Sequence, residues 1–194
     1  MKKNDFSCLL IMIFAGTFFA CSPGTPDDIK GLQAKVDSLE KALQYYRDNK
    51  AAEDKLLTRF DSLDYDIYSN QRWDQLKISH ADDILVYYPD GHTTTGIDPQ
   101  HINALKPQFV FAPDTRIKEH PVKIADREWT AVIGIMEGTF TRPMPVGEGK
   151  TIPPTGKAFK LMMCTVGHWK DGRMTEEYLF WDNQAFMQQI GLAK

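Results

Sequence analysis

Between residues 29 and 46 apolar side chains recur at alternating steps of three and four: Ile29, Leu32, Val36, Leu39, Leu43 and Tyr46. That spacing lays one apolar stripe along a helix, with Lys30, Lys35, Asp37, Glu40 and Lys41 on the polar side. The stripe covers about two and a half heptads, short of the three to four that argue for a coiled coil. It fits a self-associating stalk, and equally a helix that packs on its own domain or spaces it from a membrane. "YRDNKAAED" (46–54) has no apolar period and reads as a joint. A second helix is expected from near Lys55, with Leu56, Phe60, Leu63 and Ile67 on one face. "RWDQL" (72–76) reads as one more short helical piece.

The period then changes. "ILVYY" (84–88) is β-branched and aromatic and lies between "ADD" and "PDG", which predicts a strand. A short extended piece, "TTT", ends at Gly96. "DPQHINALKPQF" (98–109) opens with Asp at the capping position and Pro at the first helical position, a helix start. Long strands are expected over 115–125, 129–141, 159–170 and 173–181. Pro121 cannot donate to a ladder, so the first of these belongs at a sheet edge or carries a bulge. "RPMPVGEGKTIPPTG" (142–156) is a long Pro/Gly loop, and "NQAFMQQIG" a short final helix with Gly191 past its end. Helices first and long antiparallel strands afterwards predict an α+β domain, its helices packed on one face of a curved sheet.

Composition changes this picture at one end only. The formal net charge is −3, which excludes the basic surface a nucleic-acid partner would need. Two of the three cysteines fall within the first 21 residues, so no disulfide framework is implied. Lys2 and Lys3 precede the 11-residue apolar run "LLIMIFAGTFF", followed by Ala20 and Cys21. A bilayer-spanning helix needs roughly 20 residues, so the run reads as a secretory signal. "FFAC" followed by "SPGTP" resembles a bacterial lipoprotein signal, with Phe18 where Leu is common. The resemblance implies lipidation at Cys21 and a protein anchored in the cell envelope, the outer membrane being favoured over the inner. An ordinary signal cut near Ala20 is the other reading. The expected divisions are a signal peptide (1–20), a tether (21–28), an amphipathic stalk (29–50) and one folded domain (51–194).

The order of elements, together with "GRMTEEYLFWDNQAFMQQIG" (172–191), resembles the SnoaL-like polyketide cyclase family of the nuclear transport factor 2-like superfamily. The family's last strand carries Gly, a basic residue, one or two acids, an aromatic run, Asp, and then a helix ending in Gln, an aliphatic residue and Gly. Here these are Gly172, Arg173, Glu176, Glu177, Tyr178, Phe180, Trp181, Asp182, Gln189, Ile190 and Gly191. "ADDILVYYPDGHTTTG" (81–96) resembles the family's first hairpin. The resemblance covers roughly residues 52–194. It implies a cone-shaped α+β roll whose curved, mostly antiparallel sheet carries helices on its concave face, preceded by the N-terminal helix. It also implies an apolar pocket for a small hydrophobic molecule and, in family members that are cyclases, an intramolecular aldol reaction without a cofactor. The aspartate closing the last strand is their acid/base, and Asp182 stands in that place. The same scaffold also hosts non-catalytic binders, so an envelope interaction module is the competing reading.

"DG" at 171–172 signals a type I′ hairpin. Paired residues then sum to 343, which places Asp182 opposite Leu161, Phe180 opposite Met163 and Tyr178 opposite Thr165. Strand side chains alternate faces, and both faces are largely apolar, so periodicity does not choose the cavity side. The resemblance chooses the Asp182 face and gives Leu161, Met163, Thr165, Tyr178 and Phe180, with Trp73 nearby, as ligand-binding candidates. Asp182 would then be a desolvated carboxylate with a raised pKa; its other expected duty is to cap the helix beginning at Asn183. His80, His92, His101, His120 and His168 have no metal-ligand spacing, so no metal is expected; that no cofactor is expected is what the resemblance implies. His80 and His101 are the two that could reach a cavity mouth. Self-association through residues 29–46 or through the sheet is an open expectation.

Overall fold

The computed structural model describes residues 25–194, so the signal segment and Cys21 lie outside the described residues. The chain divides into two units, the first ending at Leu43 and the second running Gln44–Lys194. Helix α1 spans Pro26–Ser62. Thr25 caps it: its Oγ1 accepts from the Asp28 N–H at 3.2 Å while the Asp28 carboxylate accepts from the Thr25 N–H at 3.0 Å. This reciprocal box, followed by Pro at the first position, starts the helix before Ile29. The joint expected over 46–54 is helical instead. No Gly or Pro interrupts residues 32–62, and the pairs Gln44–Asp48 and Lys50–Asp54 lie one turn apart on the helix surface. A missing apolar stripe therefore does not end a helix that has good local propensity.

At its C-terminal end α1 becomes amphipathic. Phe60 is buried, and so are Leu63 and Ile67 in the π-helical turn Leu63–Tyr68 that follows. A 3₁₀ turn, Trp73–Ile78, delivers the chain to the sheet. The strands follow as β1 (His80–Tyr87) and β2 (Thr93–Thr95), then helix α2 (Ile102–Phe111), then β3 (Arg116–Asp126) and β4 (Trp129–Thr139). Within the expected loop, β5 (Met144–Pro145) and β6 (Thr151–Ile152) form a small hairpin. β7 (Ala158–Lys170), β8 (Arg173–Trp181) and α3 (Asn183–Gln189) complete the domain.

The main sheet is ordered β2-β1-β8-β7-β4-β3. Only the β1–β8 contact is parallel, and the result is the cone-like α+β roll expected. β3 lies at the edge, and its register slips on both sides of Glu119, next to Pro121. Proline at an edge and at a bulge is its permitted place. Two buried clusters fill the concave side. One centres on Phe60, Ile84, Val132 and Trp169 at the β1 end. The other centres on Phe111, Phe140, Phe159 and Ile190 at the α3 end.

The β7–β8 hairpin corrects the sequence reading at one point that matters. Asp171 and Gly172 both have positive φ, as a type I′ turn requires. Lys170 pairs with Arg173 and Trp169 with Met174, in the expected register. His168, however, pairs with Glu176, because Thr175 is left over as a bulge in β8. From there every pairing moves by one: Cys164 faces Phe180 and Thr165 faces Leu179. The inner face of β8 is therefore Glu177, Leu179 and Trp181, and Tyr178 and Phe180 point outward. The bulge has a packing reason. Gly167 on β7 has no room for a Cβ, which would lie 2.5 Å from Met174 Sδ and 3.0 Å from Trp169 Nε1. The Trp169 indole fills that space and donates to Thr130 Oγ1 at 2.8 Å.

Candidate active site

A cavity of about 370 Å³ opens between the two buried clusters, a size suited to one small molecule. Most of its wall is apolar: Leu63 and Leu76 from the helical turns, Leu105 from α2, Met136 from β4, Leu161 and Met163 from β7. Beside His92, Gln108, Thr165 and Asn183, the polar groups in that wall form two sets.

The first set is built on the π-helical turn. The wider turn brings Leu63, Asp64 and Tyr68 to the same wall. Ser69 ties the turn to β3: its Oγ donates to the Asp64 carbonyl at 2.7 Å and accepts from the Ile117 N–H at 2.9 Å. The β3 bulge beyond Ile117 turns His120 inward, where its side chain is fully covered. There it stacks on Tyr65, centroids 4.4 Å apart, and meets the edge of Phe60. His120 Nε2 reaches Asp64 Oδ2 at 2.9 Å and Nδ1 reaches Asp61 Oδ1 at 2.7 Å, while Lys123 Nζ donates to Asp61 Oδ2 at 2.6 Å. Burial pushes the Asp64 carboxyl above the usual aspartate value, against the pull of His120. Burial opposes charge on His120, but its hydrogen bonds to Asp64 and Asp61 outweigh that and raise its pKa. The arrangement is a cavity carboxylate held in place by an imidazole, which a second carboxylate holds in turn.

The second set comes from three separate elements: His80 at the start of β1, His101 just before α2, and Glu177 from the inner face of β8. All three are buried. The Glu177 Oε2 atom lies 3.7 Å from His80 Nε2 and 3.8 Å from His101 Nε2. His80 Nδ1 contacts Ser79 Oγ at 2.8 Å, and His101 Nδ1 contacts the Tyr88 hydroxyl at 2.9 Å. Burial depresses the His101 pKa to about 4 and pushes Tyr88 up to about 12, so both are neutral near pH 7. Glu177 is held below the usual range: burial raises it, and positive charge on the histidine side, chiefly at His80, more than offsets that.

The residues expected from the sequence divide between cavity and surface. Leu161, Met163 and Thr165 line the cavity. Tyr178 and Phe180 do not, because the bulge turns them out; Phe180 is 54% exposed, and Tyr178 donates to Glu176 Oε2 at 2.6 Å and stacks on Tyr87. Trp73 packs between Tyr68 and Phe109 rather than on the cavity wall. Asp182 is exposed, and its Oδ1 accepts from the Ala185 N–H at 2.9 Å as the cap of α3. Its neighbours Trp181 and Asn183 reach the cavity, and it does not. Asp64 was legible in one respect: it sits on the Phe60, Leu63, Ile67 stripe, where a carboxylate is out of place on a plain core helix. The meeting of residues 80, 101 and 177 has no local signal, since it depends on topology alone.

Residues 58–190 match the family of SnoaL-like polyketide cyclases. Solved structures share the fold at low identity. A putative SnoaL-like polyketide cyclase from Jannaschia sp. CCS1 is 18% identical with a TM-score of 0.62, over 73% of this chain and 95% of its own. A putative polyketide cyclase from Xanthomonas campestris pv. campestris is 15% identical with a TM-score of 0.61, over 72% and 98%. IdmH, a putative polyketide cyclase from Streptomyces antibioticus, is 19% identical with a TM-score of 0.57, over 70% and 98%. No curated protein matches the chain. With the family match spanning well over half of its length, and the cone-shaped sheet and its cavity in place, the chain belongs to the SnoaL-like polyketide cyclase family.

Proposed function

We propose that this protein binds a small hydrophobic carbonyl compound in its cavity and moves a proton on it, with Asp64 as the base. The observation that carries this reading is a carboxylate backed by a buried imidazole in the wall of a mostly apolar cavity. A desolvated carboxylate of raised pKa is suited to taking a proton from the carbon beside a carbonyl. The C–H electrons move into an enolate, whose carbon attacks a second carbonyl of the same molecule. The resulting alkoxide recovers the proton from Asp64, so nothing is oxidised and no co-reactant is consumed. His120, fixed by Asp61, orients the carboxylate, and the apolar wall excludes water that would quench the enolate. Open volume where a filled core would leave none favours this reading over a purely structural module.

Binding can be tested without knowing the ligand. Met163 lines the cavity from β7, so Met163→Trp should fill it. With an apolar naphthalene-type fluorescent probe, we expect affinity to fall at least about tenfold while unfolding stays cooperative. Equal probe binding by the wild-type and Trp proteins would sink the binding reading.

The chain is further proposed to be held in the cell envelope by a lipid on Cys21, the outer membrane being favoured. The support is the anatomy of the first 21 residues. Among the described residues no helix is long and apolar enough to cross a membrane, which leaves that assignment resting on the sequence. Cys21→Ser should abolish incorporation of labelled fatty acid into the protein in cells. Undiminished labelling would exclude Cys21 as the attachment point.

A further inference from the structure

We infer that His80, His101 and Glu177 form a binding site for one divalent transition-metal ion, with an open coordination position toward the cavity. Each residue offers one ligand atom, and the three atoms lie within 4.8 Å of one another. Two imidazoles and a carboxylate suit zinc and its neighbours in the first transition row, and three protein ligands with a free fourth place is the pattern of reactive sites.

The hydrogen bonds around the histidines carry the argument. Ser79 Oγ reaches both the Leu76 carbonyl at 3.1 Å and His80 Nδ1 at 2.8 Å; with its one hydrogen on the carbonyl it accepts from the His80 Nδ1–H. His80 Nε2 is then a bare lone pair. It points at a carboxylate oxygen, Glu177 Oε2, and neither atom has a hydrogen-bond partner although both are buried. Two buried acceptors facing each other repel unless a positive charge lies between them. The Tyr88 hydroxyl likewise accepts from His101 Nδ1 when it turns its own hydrogen to Thr94 Oγ1, 3.5 Å away. That leaves His101 Nε2 as a second lone pair facing the same oxygen at 3.8 Å. Ser79 and Tyr88 thus serve as the outer partners that orient metal-binding imidazoles.

The spacing is compatible with an ion. Two ligands about 2.0–2.1 Å from a tetrahedral zinc lie roughly 3.3 Å apart. The observed 3.7 and 3.8 Å to Glu177 Oε2 require an inward shift of a few tenths of an ångström, and the two imidazoles, whose ligand atoms lie within 4.8 Å of each other, must also close on the ion. The other occupant of such a gap is a proton, which would make one histidine an imidazolium. A metal and a proton give different results below.

The inference is independent of the role assigned to Asp64, and loss of probe binding or of proton transfer would leave it standing. The test uses the full chain in detergent, stripped with a chelator and titrated with zinc and with cobalt(II) at neutral pH. We expect one equivalent of zinc per chain, a rise in melting temperature on addition, and visible cobalt absorption bands characteristic of nitrogen and oxygen ligands. His101→Ala and Glu177→Gln should each weaken zinc binding by at least roughly a hundredfold, and Tyr88→Phe by about tenfold to a hundredfold. His168→Ala removes an imidazole flanked by Glu128 and Glu176 outside the cavity, and should change nothing. The cobalt spectrum needs no variant, so misfolding of a substituted chain does not spoil the test. No stoichiometric zinc and no cobalt bands, or zinc binding that survives His101→Ala or disappears with His168→Ala, would overturn the site and leave the gap to a proton.

Discussion

Asp64→Asn should lower the protein's rate of proton abstraction by a factor of roughly 10² or more. The probe is a nitrobenzisoxazole, which opens to a coloured cyanophenolate when a base removes a single C–H proton. It needs only an apolar pocket and a well-placed carboxylate, so it reads the chemistry without the natural substrate. Asparagine keeps the shape of the side chain and an oxygen toward His120 Nε2, now 2.9 Å from the carboxylate, but it cannot take the proton. The wild-type rate should rise with pH through the Asp64 ionisation, which burial places above the ordinary aspartate value, and level off once the carboxylate is charged. His120→Gln should shift the midpoint of that profile to higher pH, since the imidazole that opposes the rise would be gone. Asp182→Asn should leave the rate unchanged, because Asp182 is exposed and occupied with the Ala185 N–H. The opposite pattern, with Asp64→Asn active and Asp182→Asn inactive, would restore the role that the family resemblance implies for Asp182.

A second large effect belongs to stability. Trp169→Ala should cost the domain about 3–5 kcal/mol, a large share of the roughly 5–15 kcal/mol typical of whole domains. Trp169 is 1% exposed, fills the space opened by Gly167, and supplies the hydrogen that Thr130 Oγ1 accepts. Removing the ring leaves both a cavity and an unpaired buried hydroxyl. At roughly 2–4 °C per kcal/mol for a domain of this size, the melting temperature should drop by about 6–20 °C. Trp169→Phe keeps most of the packing and should lose less, about 1–3 kcal/mol from the orphaned Thr130. Melting curves of the three proteins decide it; a Trp169→Ala drop of less than ~1 kcal/mol would mean the cluster has collapsed to fill the hole.

The elements were legible because each was announced by a local device. The Pro/Asp start before α2, the Asp171–Gly172 turn and the edge-bound Pro121 all act over a few residues. So did the three cavity residues of β7, whose alternation is unbroken along the strand. What failed was inference across a defect. Thr175 carries no residue-type signature of a bulge, and its cause, the fit of Trp169 and Met174 over Gly167, lies on two strands at once. The fused α1 was missed for the converse reason: helix propensity persists where amphipathicity lapses. Glu177 stood out only as one of the acids of the last strand, and its meeting with His80 and His101 required knowing that β1 runs parallel to β8. The family resemblance named a carboxylate by its column in the last strand. The cavity acid proposed instead comes from the other end of the chain's fold, on a helical turn.

A strand is a counter with only two states, and Thr175 adds one to the count. Every inward position beyond it changes from even to odd, so the chamber receives glutamate, leucine and tryptophan where an unbulged hairpin would deliver tyrosine, phenylalanine and aspartate. The chemistry inside is therefore set by an insertion rather than by any substitution. Two relatives with the same residues in the same aligned columns can present opposite inventories to a bound molecule if only one of them carries the extra residue. A gap in an alignment of this hairpin is then as informative about activity as a changed amino acid.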